Sequence, residues 1–143
     1  MALKLTAYLM MNDGKAKDAI AYYEKVLEGK VLFQQSFGEM PANPEFPLPE
    51  AAKDLVAHAM MQIGESTLMF SDTFPGQNVP EGGNVTICIN IPTKEKAEQI
   101  FAALQDGGQV IMPLTETHFS PGYGIVTDKF GIPFQIFTES QQG

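Results

Sequence analysis

The sequence predicts an α+β fold in which one order of elements, βαβββ, occurs twice. Three observations predict it. Stretches 13–30 and 93–108 both carry apolar residues at helical spacing. Each lies between two strand-like runs. Each half then closes on a pair of short apolar runs joined by a turn that contains glycine.

In the first half, LKLTAYLMMN (3–12) is a strand candidate. In 13–30, Ala16, Ala19, Ile20, Tyr23, Val26 and Leu27 form a helical stripe, with Gly29 as the stop. VLFQQSF (31–37) is the next strand, and 57–72 is a hairpin turning at Gly64 and Glu65. In the second half, GNVTICINIP (83–92) is a strand. The helix follows over 93–108, with Thr93 as cap, Gly107 as stop and Ala97, Ile100, Phe101 and Leu104 as its stripe. Ile100, Phe101 and Leu104 fall where Tyr22, Tyr23 and Val26 fall in the first half. QVIMPLTE (109–116) is a strand, TETHFSPGYG (115–124) a loop, and 123–137 the last hairpin, turning over Asp128 to Gly131. Two linkers interrupt this order: 38–54, with four prolines, is an irregular excursion, and 73–83 joins the halves.

The bulk numbers bound the function. A chain of 143 residues is one ordinary domain, while each half alone is too small for an adequate core. No apolar run approaches the roughly 18 residues that span a bilayer. The start, MALKLTAYLMMNDGK, has no signal-peptide pattern. One cysteine, Cys88, leaves no internal disulfide, and the expected location is cytoplasmic. Net charge is −8, and all nine basic side chains are lysine. An acidic chain without arginine is a poor partner for nucleic acid or anionic membrane, so neither is expected. There is no G-x-G-x-x-G, P-loop, G-x-S-x-G or HExxH pattern.

Three segments carry a family resemblance: NDGKAKDAIAYYEKVLEGKV, HAMMQIGESTLMFSD and VTDKFGIPFQI, in that order. The chain resembles the vicinal-oxygen-chelate superfamily, and within it the PhnB-like, glyoxalase-like branch. The resemblance implies two βαβββ modules, about 3–72 and 84–137 of a single domain 1–143. It implies a mixed sheet curled into a cup with the helices outside, and a homodimer. It also implies where a metal would sit, early in the first strand and in the last strand of each module. Those positions fall near Thr6 or Tyr8, on Met69, near Asn84 or Thr86, and on Gln135.

None of these is a histidine or a carboxylate, whereas a divalent catalytic metal takes about three ligands from His, Asp, Glu or Cys. The expectation is therefore a small-molecule pocket with no metal and no cofactor, lined by Tyr8, His58, Met69, Thr86, Phe119 and Gln135. The competing reading is a metal-dependent lyase, isomerase or transferase using His58, His118 and Glu116 as unconventional ligands. Cys88 faces the same side as Thr86 but has no basic residue in register on its own strand, which favours a packing role over a nucleophile.

Overall fold

A computed structural model describes residues 3–41, 44–45, 47–80 and 84–140. Parts of both expected linkers, at 42, 43, 46 and 81–83, lie outside the described residues, as does the expected start of the second-half strand at Gly83. The chain forms two compact units, Met1–Pro80 and Glu81–Gly143.

The first unit contains β1 (Ala7–Met11), α1 (Ala16–Val26), β2 (Lys30–Ser36), β3 (Val56–Ile63) and β4 (Ser66–Asp72). The second contains β5 (Ile87–Ile91), α2 (Lys94–Gln105), β6 (Gln109–Thr117), β7 (Ser120–Thr127) and β8 (Pro133–Thr138). Each unit is a βαβββ module with one curved four-stranded mixed sheet, ordered β1-β4-β3-β2 and β5-β8-β7-β6. The first strand of each pairs in parallel with the last, and the remaining pairs are antiparallel. The expected α+β repeat is present.

Each helix covers one face of its own sheet. Ala16, Ala19, Ile20 and Tyr23 of α1 are buried with Leu9, Met11, Leu68 and Phe70 of the strands. Ala97, Ile100, Phe101 and Leu104 of α2 are buried with Ile91, Val126, Phe134 and Ile136. Strand alternation sends the intervening side chains to the opposite, open face.

Both first strands are shorter than the sequence implies. β1 begins at Ala7, leaving Leu5 99% exposed, and β5 begins at Ile87, leaving Val85 74% exposed. In the second module the partner strand sets the limit: Ile87 pairs with Phe134, so Val85 would face Ile132, in the turn before β8. In the first, Ala7 pairs with Leu68, and Leu5 would face Ser66, the end residue of β4. The Gly64–Glu65 hairpin forms as expected, with Gly64 at φ +56°.

The loop expected over 115–124 is instead a hairpin. β6 runs to Thr117 and β7 starts at Ser120, leaving only His118 and Phe119 in the turn. The Thr117 hydroxyl oxygen accepts from the amides of Phe119 (3.3 Å) and Ser120 (3.1 Å). Side-chain capping thus does the work usually left to glycine or asparagine.

The helix ends differ between modules. Thr93 caps α2 as expected, its hydroxyl accepting from Lys96 N–H at 3.2 Å, and Gly107 follows at φ +76°. In the first module the left-handed residue after α1 is Glu28 (φ +56°), not Gly29. Gly29 is needed for clearance, since a Cβ there would overlap the Met61 side chain. At the base of the proline-bearing excursion, the Phe37 and Gly38 amides donate to the carbonyls of Leu55 (3.0 Å) and Lys53 (2.9 Å).

Candidate functional site

The open face of the first module is a soft, half-exposed surface with one polar pair. Tyr8, Met69, Met60 and Phe33 form a single row across all four strands, each the register partner of the next. His58 stands two residues before Met60 on β3. Its Nδ1 is hydrogen-bonded to Tyr8 Oη at 3.1 Å. The Tyr8 and Phe33 rings flank the imidazole at centroid distances of 5.7 and 5.9 Å. Three expected residues, Tyr8, His58 and Met69, thus share this face.

The second module repeats the row with different chemistry. Cys88, Gln135, Ile125 and Met112 are successive register partners across its sheet. By register, Gln135 takes the place that Met69 has in the first module, and Tyr123 that of His58. The Gln135 amide is tied at both ends. Tyr123 O–H donates to its Oε1 at 2.6 Å, and its Nε2 donates to Thr86 Oγ1 at 3.0 Å. Phe119 stacks on Phe137 (6.0 Å, 12°) and meets Tyr123 edge-on (5.0 Å, 72°). Thr86, Gln135 and Phe119 therefore belong to one patch, whose link is Tyr123. Tyr123 is not among the expected lining residues: the sequence puts it where the 115–124 loop meets the 123–137 hairpin, at the very start of a strand. The strand phase that places Ile125 beside Gln135 also places Tyr123 there, two residues away.

The remaining candidates fall elsewhere. His118 lies in the exposed β6–β7 turn, edge-on to Phe119 at 5.1 Å. Glu116 lines a cleft of about 580 Å³ on the α2 side of the second sheet, with Lys94, Glu98, Phe101, Leu114 and Pro121. Its α2 wall is partly polar: where the first module buries Ala16, Ile20 and Leu27, the matched positions are Lys94, Glu98 and Gln105, all exposed. Among the described residues, no three His, Cys, Asp or Glu side chains come together to hold a metal ion. Burial pushes the Cys88 thiol above its ordinary pKa, the wrong direction for a nucleophile, although the residue as a whole is exposed.

The donor set at the positions where the resemblance implies a metal fits a divalent ion poorly. It offers hydroxyl, thioether and amide groups and no anion. The amide is already engaged by Tyr123 and Thr86. Among the described residues, no helix is long and apolar enough to cross a membrane.

Comparisons with known proteins agree with this architecture. The family pattern of 3-demethylubiquinone-9 3-methyltransferase matches residues 3–137. Protein YjdN of Escherichia coli K12 is 34% identical over 149 residues, covering 98% of this chain and 98% of that protein. The crystal structure of PA1353 from Pseudomonas aeruginosa is 31% identical with a TM-score of 0.85, covering 98% of this chain and 100% of that one. A PhnB protein structure from Bacillus cereus shares the fold at 23% identity and TM-score 0.77, covering 95% and 99%. So does a glyoxylase/bleomycin resistance protein/dioxygenase domain from Frankia sp. EAN1pec, at 11% identity and TM-score 0.68, covering 100% and 96%. On the strength of the match over 3–137, this chain belongs to the 3-demethylubiquinone-9 3-methyltransferase family.

Proposed function

We propose that this protein binds a small organic molecule on the open faces of its sheets, without a divalent metal, and that it works as a cytoplasmic homodimer. Tyr8, His58 and Met69 serve the first module; Thr86, Phe119 and Gln135, with Tyr123, serve the second. The observation that carries the reading is the state of Gln135. At a position where the resemblance implies a metal, this side chain is an amide held between Tyr123 and Thr86. A group so oriented suits hydrogen bonding to a neutral ligand. The surrounding methionines and aromatic rings supply an adaptable apolar wall. Methyl transfer, which the family's name suggests, draws no support from the sequence, which has no glycine-rich nucleotide fingerprint.

Thermal melts test this reading. Chelator-stripped protein should show no rise in Tm with Mn²⁺, Ni²⁺, Zn²⁺ or Fe²⁺. It should gain stability with members of a neutral aromatic fragment set, by the ordinary linkage of binding to folding. A metal-dependent rise with near-stoichiometric retention would contradict it, and would send mutagenesis to His58, His118 and Glu116.

A further inference from the structure

We infer that Thr86 is a specificity-determining hydrogen-bond donor, and that the second module's open face selects neutral ligands carrying a carbonyl or similar acceptor. The inference rests on the open-face reading above and deepens it.

The direction of the hydrogen bonds carries the argument. Tyr123 uses its proton on Gln135 Oε1, and Gln135 uses one amide proton on Thr86 Oγ1. A threonine hydroxyl has one proton and two lone pairs. Accepting from Gln135 occupies one lone pair and leaves the proton. Among the described residues no acceptor takes that proton. The chain therefore runs Tyr123 to Gln135 to Thr86 and ends in a donor. Each bond polarises the next, so the terminal O–H is a better donor than an isolated one. The second amide proton of Gln135 points to the same need for an acceptor. No lysine belongs to this chain of bonds, so no charge is on offer to an anion.

The first module does not duplicate this device. At the position matching Gln135 it has Met69, and at the one matching Tyr123 it has His58, bonded to Tyr8. Selection for an acceptor is thus a property of the second module.

The test uses intact protein carrying ¹³C-methyl methionine, titrated with acetophenone and with ethylbenzene. These share size and ring and differ in the carbonyl. Acetophenone should bind roughly two- to ten-fold more tightly, the worth of one net neutral hydrogen bond. Thr86→Val should abolish the preference, Thr86→Ser should keep it, and Tyr123→Phe should weaken it without removing it. Equal binding of the two probes, with Thr86→Val indifferent, would overturn the inference and leave the open-face reading standing. Loss of preference in Tyr123→Phe but not in Thr86→Val would mean that the chain runs the other way, overturning the role of Thr86. If neither probe shifts an open-face methyl, the reading beneath the inference falls with it.

Discussion

Asp72→Ala should cost on the order of 3–5 kcal/mol of unfolding free energy, the largest loss of any polar substitution in the first module. Asp72 is 2% exposed at the end of β4. Its Oδ1 accepts from Ala16 N–H at 2.9 Å, at the start of α1, and its Oδ2 from Val56 N–H at 2.8 Å, at the start of β3. The residue at the α1 cap position, Lys15, makes no side-chain cap, so Asp72 serves as a cap borrowed from across the sheet. A carboxylate there also favours the positive end of the helix dipole. Removing it strands two N–H donors that have no route to water. Asp72→Asn keeps one acceptor and turns the other end into a second donor facing an N–H, so it should recover only part of the loss. Urea denaturation reads the cost, and amide exchange at Ala16 and Val56 should accelerate in step. A loss under about 1 kcal/mol would mean that the two amides find other partners.

Gly108→Ala should cost about 3 kcal/mol or more, at the upper end for overpacking. The position needs no unusual φ; the barrier is space. A Cβ there would overlap the Thr127 carbonyl oxygen and sit 2.9 Å from the Leu104 carbonyl oxygen and 3.0 Å from the Asp128 carbonyl carbon. All three are backbone atoms and cannot swing aside. Gly64→Ala is the control. A Cβ there meets nothing within 4 Å, and its φ of +56° is the only obstacle. Its cost should be only about 1–2 kcal/mol. Comparable losses in the two variants would show that close approach is not what fixes glycine at 108.

Much of this was legible in the chain because it was local. Two helical stripes, the Thr93 cap and the Gly64 turn are set by neighbours in sequence, and all are as the pattern implies. Errors came where a distant partner decides. Val85 continues an alternating strand pattern, yet its partner β8 starts at Pro133, one residue too late to pair with it. The capping of α1 by Asp72 spans 56 positions and leaves no local mark. The turn at His118 and Phe119 contains neither glycine nor asparagine, and Pro121, Gly122 and Gly124 nearby mimic a loop. In fact those glycines sit in a strand where clearance is short, since a Cβ at Gly124 would lie 2.8 Å from the Phe101 ring. β7 starts three residues before Tyr123, where the sequence pattern shows no strand, so the bond that fixes Gln135 is not legible from it. Strand phase, unlike strand length, needs only one correct anchor, and it places Tyr8, His58, Met69 and Gln135; Thr86 precedes β5 and Phe119 lies in the β6–β7 turn, so phase does not place them.

The most direct test of the account is a methyl NMR titration of the intact protein with a neutral aromatic fragment set, using its methionines as reporters. Met60 and Met69 stand on the first module's open face and Met112 in the matched row of the second, whereas Met11 and Met61 are buried beneath the helix side of the first sheet. The account predicts shifts at Met60, Met69 or Met112 that saturate with ligand, while Met11 and Met61 hold still. Shifts centred on Met11 and Met61, or on α2 beside Glu98 and Glu116 with the open-face methyls silent, would contradict it.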